Sequence, residues 1–170
     1  MFTIRKAQPS DAAKLPAIER SAGEAFRQIA HLAWIADDEV QSVERHLELI
    51  GQGTAWVALD DDGPVGFLSA EADHDRLHIW ELAVRHDRQG RGIGRRLVET
   101  ACSWAGEQRF ASVTLTTFRQ ISWNEPFYRS VGFRTLEDEE LTPALAAILR
   151  HEVEIGLPGS ERCAMRRTLG

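Results

Sequence analysis

Leu77-His78-Ile79-Trp80-Glu81-Leu82-Ala83-Val84, then Arg85-His86-Asp87-Arg88, then Gln89-Gly90-Arg91-Gly92-Ile93-Gly94-Arg95-Arg96-Leu97-Val98 follow without a break, and their reading decides the fold. The first eight residues form an apolar run of strand length. The last residues open a helix, because Ile93, Leu97, Ala101 and Ala105 recur one turn apart with Val98 beside them. Between strand and helix, glycine stands at every second position, 90, 92 and 94. A strand feeding a glycine turn feeding a helix N-terminus is an anion-binding design. The first-turn N–H groups have no intrahelical partner, and the helix dipole favours negative charge there. Without a Cβ, the backbone at these glycines can approach a phosphate closely. The charge pattern agrees. The chain carries a formal −6, yet residues 85–96 hold five arginines against one acid, Asp87. A local reversal of sign beside a glycine loop fits a polyanionic ligand better than a plain solvated helix face.

Two familiar phosphate loops fail on spacing. The dinucleotide fingerprint needs a third glycine where this chain has Arg95, and the P-loop needs a Gly-Lys pair that is absent. Gln89-x-x-Gly92-x-Gly94 after Leu82-Ala83-Val84 instead resembles motif A of the GNAT superfamily of N-acetyltransferases. Tyr128-x-x-x-Gly132-Phe133 resembles motif B of the same superfamily. The resemblance implies an α/β fold: a mixed, mainly antiparallel sheet with helices on both faces and splayed central strands. It implies an enzyme that moves an acetyl group from acetyl-CoA to a primary amine. Gln89, Gly90, Arg91, Gly92, Ile93, Gly94 and Arg95 would cradle the pyrophosphate, and Leu82, Ala83 and Val84 would pair with the pantetheine arm. Tyr128 would be the acid that protonates the departing thiolate. A phenol suits this role, being neutral at pH 7 with an ordinary pKa near ~10. One departure stands out. Where many members have an asparagine seven residues before the tyrosine, this chain has Ile121, and Asn124 lies only four before.

Acetyl transfer needs a neutral amine. A lysine-like amine with pKa ~10.4 pays roughly 4–5 kcal/mol to be neutral at pH 7, which a general base offsets in part. Glu81 and His78 are the candidates on the strand that leads into the loop. Three apart, they fall on opposite faces of a regular strand, unless a bulge intervenes. Burial beside Trp80 would raise a carboxyl's pKa, which tilts the choice to Glu81.

The rest of the chain fits one domain, residues 1–170, of ordinary composition: 43% hydrophobic and 27% charged. No charge-free run is long enough to span a bilayer, no signal-peptide pattern opens the chain, and a cytoplasmic protein is expected. Cys102 and Cys163 read as separate buried thiols rather than a disulfide, and neither is placed to suggest an acyl-enzyme. No Cys/His spacing suggests a metal, and the acidic balance argues against nucleic acid as partner. Phe2–Ala7 reads as a strand and Pro9-Ser10-Asp11 as the start of a helix striped by Leu15, Ile18 and Ala22. Asp37-Asp38-Glu39 reads as a second helix start, with Val40, Val43, Leu47 and Ile50 on one face. Strands are expected at 54–59, 64–72, 77–84, 111–118, about 133–137 and 160–169. A helical insertion at about 138–157 is a candidate lid, a homodimer element or a packing helix over the sheet edge. Trp34, Phe118 and Trp123 suggest a closed pocket for a small-molecule amine. A protein N-terminus or lysine as acceptor, and a non-catalytic acyl-CoA sensor on the same fold, are the alternatives.

Overall fold

The computed structural model describes residues 1–170. Seven strands form one sheet in the order β1-β2-β3-β4-β5-β7-β6. They are β1 (Thr3–Lys6), β2 (Ala55–Asp60), β3 (Gly63–Asp73), β4 (Arg76–Val84), β5 (Ser112–Phe118), β6 (Arg134–Thr135) and β7 (Arg162–Thr168). Five α-helices are interspersed: α1 (Leu15–Gly23), α2 (Val43–Gly51), α3 (Ile93–Glu107), α4 (Glu125–Ser130) and α5 (Pro143–Glu154). The chain divides into two compact units. One is Met1–Glu71 with Glu81–Ala101, the other Ala72–Trp80 with Cys102–Gly170.

In the first unit, β1 and β2 pair antiparallel, and β2 pairs β3 through a hairpin with a bulge at Ala58/Leu59. Its core gathers Leu15 and Ile18 of α1, Ile50 of α2, Val57 and Phe67 of the strands, and Ala83 of β4. Pro16 falls at the second position of α1, where a missing N–H costs nothing. The chain from Glu24 to Asp37 is two stretches of 3₁₀ helix, Glu24–Gln28 and Ala30–Asp37.

The second helix differs from the sequence expectation. It starts at Val43, not at Asp37, because Ser42 is the cap: its hydroxyl accepts the Arg45 N–H at 3.1 Å. The buried face also differs from the expected one. His46, Leu49 and Ile50 are the buried residues, and Leu47 is 42% exposed. The apolar pattern concealed this, because one of the two fully covered positions is a histidine.

In the second unit, β5 pairs β4 parallel at Arg76–Ser112, Leu77–Val113 and His78–Thr114. This is the arrangement expected of a strand-helix-strand crossover. The ladder ends at that third pair, although β4 runs on to Val84. β7 returns antiparallel along all of β5, and β6 pairs the far side of β7. The insertion folds as α5, capped by the Thr142 hydroxyl on the Leu145 N–H. Leu145 packs with Leu136 and Ala164, backed by Leu141, Ile148 and Leu149. The buried Glu152 then clamps it to the sheet. Its carboxylate accepts two bonds from Arg162 of β7, at 2.9 and 3.1 Å, and one from the Thr116 hydroxyl of β5. Arg162 lies over the Phe118 ring, 4.5 Å from its centroid. Within its unit α5 is thus held near its start by Leu145 and near its end by Glu152.

Candidate active site

The glycine loop begins where β4 stops. Gln89 folds back, and its side-chain amide donates to the Val84 carbonyl oxygen at 3.0 Å. The glutamine thus closes the loop on its own strand end. Gly90 and Gly92 have φ of +77° and +83°, in the left-handed region where an L side chain is strained. An added Cβ would meet nothing within 4 Å at either position, so backbone conformation rather than space demands glycine there. The Arg96 N–H donates to the Gly92 carbonyl at 3.1 Å and closes the first turn of α3. The N–H groups before it have no intrahelical partner. The stripe of Ile93, Leu97, Val98 and Ala101 is buried, as its periodicity implies.

Sequence reading missed Gly66 of β3. A Cβ there would stand 3.1 Å from the Ala83 carbonyl oxygen and 3.3 Å from Ile93 Cγ2. A bare backbone lets the start of α3 settle onto the sheet beside the strand end. The loop is also tied to α1, since the His86 N–H donates to the Ser21 hydroxyl at 2.9 Å.

The arginine count needs a correction. Arg88 is mostly buried and bonded to Asp60, Asp62 and Asp87, the first two from the β2–β3 hairpin. Arg85 pairs with Asp87, Arg95 lies 3.7 Å from Glu99, and Arg96 sits over the Phe2 ring. Asp60 and Asp62, folded onto the loop, offset half of the excess that the linear sequence displays. Arg91, between the two left-handed glycines, and Arg96 are the two of the five arginines with no carboxylate beside them.

On β4, His78 is buried at 6% exposure. Its Nδ1 lies 2.9 Å from the Thr114 hydroxyl, and its ring meets Trp80 edge-on at 4.5 Å. Two residues apart, His78 and Trp80 share a face. Glu81 lies past the last pair with β5 and is partly exposed.

Tyr128 sits on α4, 8% exposed, with Phe127 and Phe133 edge-on at 5.0 and 5.8 Å. The Tyr-x-x-x-Gly-Phe spacing is a helix stop. Gly132 takes φ +94°, and the Phe133 N–H returns to the Tyr128 carbonyl at 3.1 Å. A Cβ on Gly132 would crowd Arg167 Nε at 3.3 Å, and that guanidinium caps the Val131 carbonyl. Asn124, just before α4, has φ −118° and ψ −110° and does not cap the helix. Of the aromatic trio, Phe118 is buried beneath Arg162, while Trp34 and Trp123 are both exposed by more than a third. Cys163 is buried, and burial followed by the nearby Glu125 pushes its thiol up to about 11. Such a thiol is a poor nucleophile at neutral pH.

The family model for the acetyltransferase (GNAT) domain matches residues 51–135, half of the chain. The chain is 29% identical over 142 residues to the peptidyl-lysine N-acetyltransferase YjaB of Salmonella typhimurium, covering 83% of this chain and 89% of that one. A shorter match, 34% identity over 76 residues, is to the L-2,4-diaminobutyric acid acetyltransferase of Chromohalobacter salexigens, of which it covers 40%. Among solved structures, the PaiA N-acetyltransferase of Thermoplasma acidophilum, in complex with coenzyme A, superposes with a TM-score of 0.73. The alignment covers 99% of both chains at 19% identity. No helix of the chain is long and apolar enough to cross a membrane.

Proposed function

This chain belongs to the GNAT acetyltransferase family and is an N-acetyltransferase, and from that premise we propose that it transfers an acetyl group from acetyl-CoA to the primary amine of a small molecule. The observation that carries the cofactor half is the loop at Gln89–Gly94. It offers left-handed glycines, the N-terminus of α3, and two arginines, Arg91 and Arg96, without a carboxylate. These are the donors a pyrophosphate requires. Leu82, Ala83 and Val84 supply strand backbone for the pantetheine arm, and Gln89 holds the strand end in place.

Each residue then has a role in the chemistry. Glu81 takes the proton from the attacking amine, directly or through a water. Its partial exposure makes it easier to reach than His78, whose Nδ1 is occupied by Thr114. The amine nitrogen bonds to the thioester carbonyl carbon, and the C–S bond breaks. Tyr128 gives its phenolic proton to the leaving sulfur. The order is a ternary complex, with no acyl group carried on cysteine. Trp34 and Trp123 contribute exposed aromatic surface for the acceptor.

A protein lysine is the second reading. The similarity to a peptidyl-lysine enzyme, which runs over most of both chains, favours it. One experiment separates them: thiol release from acetyl-CoA is followed with free amines and amino acids, then with lysine-containing peptides, for wild type, Tyr128→Phe, Glu81→Gln and His78→Gln. Turnover with free amines that collapses in Tyr128→Phe and Glu81→Gln is expected. Turnover confined to peptides would shift the acceptor to protein. Tight cofactor binding with no turnover on either panel would sink the transferase mechanism.

A further inference from the structure

We propose that Glu125 is the positioning residue of the reaction: through its carboxylate it fixes α4, and thereby the Tyr128 phenol one turn further along. The proposal rests on Tyr128 as the proposed acid. Alone, α4 has little to hold it. It is six residues long, far too short for independent stability. Its leading residue, Asn124, makes no side-chain cap and sits in a sparsely populated backbone region. Yet an acid that protonates a leaving group must be held to well under an ångström.

Glu125 supplies what the helix lacks. It is 7% exposed and stands at the first position of α4. One carboxylate oxygen accepts the Thr135 hydroxyl of β6 at 2.5 Å and the Cys163 thiol of β7 at 3.6 Å. The other accepts the Gln120 N–H, in the loop leaving β5, at 3.4 Å. Arg129, one turn along α4, lies 3.5 Å away. One side chain therefore joins α4 to the preceding loop and to two strands. All the partners can donate, and an ionised carboxylate, which only accepts, matches that set. Burial works against the charge, but the Thr135 hydroxyl, Gln120 amide and Arg129 outweigh it and hold the carboxyl below its ordinary value.

The test uses a peculiarity of the composition: Tyr128 is the only tyrosine in the chain. Tyrosine labelled with carbon-13 at Cζ gives one resonance, which reports the phenol's surroundings directly. In Glu125→Ala the resonance is expected to shift or broaden, kcat to fall about 10²-fold, and coenzyme A affinity to stay unchanged. Glu125→Gln keeps the volume and one acceptor, so a smaller shift and a smaller loss are expected. In a Tyr128→Phe background, removing Glu125 should cost nothing more, since coupled residues do not add. Leu15→Ala, in the core of the other unit, lowers stability without moving the resonance, which separates positioning from general weakening. An unmoved resonance in Glu125→Gln and Glu125→Ala overturns the proposal, as does an equal loss of kcat with and without the tyrosine hydroxyl. If Tyr128→Phe leaves kcat intact, the acid role fails instead, and the resonance still decides whether Glu125 fixes the ring.

Discussion

The glycine loop proposed to hold the cofactor is shaped by its own backbone, whereas the helix that carries the proposed acid is held by buried side chains. Gly90 and Gly92 adopt conformations that other residues resist, and Gln89 closes the loop on its own strand. Every part lies within eleven residues of chain, from Val84 to Gly94. Helix α4 is short, poorly capped and secured by Thr135, Cys163 and Gln120, drawn from three other segments. A backbone site tolerates surface change and fails on a single Cβ. A side-chain site tolerates change in the helix and fails when a distant polar partner is lost.

The largest test of this contrast is Tyr128→Phe. It removes one oxygen from the side-chain-built half, and kcat should fall by about 10²-fold or more, roughly 3 kcal/mol. Calorimetry should find coenzyme A affinity unaltered. A parallel loss of affinity would mean that the two halves are not separable.

A buried polar group of a different kind comes next. His46 lies within the first unit, edge-on to Phe67, with neither ring nitrogen hydrogen-bonded. Burial lowers its pKa from 6.5 to about 4, so the unfolded chain takes up a proton first. Its contribution to stability is therefore whole above pH 6.5 and lost as pH falls toward 4. Glu19 acts oppositely. Burial raises its carboxyl to about 7, so stability declines as pH rises from 4.5 to 7. Between pH 4.5 and 6.5 the two offset each other. Urea melts across that window should show a shallow dependence in wild type. The difference between wild type and His46→Leu should change by about 2 kcal/mol. A flat difference would show that His46 gains its proton at no cost.

Gly92→Ala probes the backbone-built half. A side chain at φ +83° costs about 1–2 kcal/mol, so coenzyme A should bind roughly tenfold more weakly, with kcat at saturation little changed. The smallest effect separates two arginines. Arg91→Ala should weaken cofactor binding by about 0.3–1 kcal/mol and flatten its salt dependence. Arg88→Ala should change the salt dependence less, because carboxylates already surround that guanidinium. Equal salt slopes would return the loop's charge to the simple count of its arginines.

The same contrast explains what could be read in advance. The stripe from Ile93 to Ala105, the glycine spacing and the strands flanking them are local patterns, and the folded chain keeps them. The linear sequence overstates the arginine excess because Asp60 and Asp62 reach the loop only after the hairpin folds. The start of α2 is hard to read because three acids resemble a helix start, whereas Ser42 makes the actual hydrogen bond. Gly66, Glu125 and Glu152 carry no local signature. What each does depends on a partner more than nine residues away. Patterns report which way a residue faces, and long-range polar contacts only arise once the faces have met.

The clamp on the insertion has a consequence for anyone who would graft or delete it. Replacing residues 138–157 by a short turn removes Glu152 and leaves Arg162 as a mostly buried cation against Phe118 and Thr116. An excision must therefore carry a second change, Arg162 to an uncharged residue of similar length such as Met, or the shortened chain keeps a desolvated charge with no counter-ion. The insertion and that one strand residue form a single cassette, to be moved or removed together.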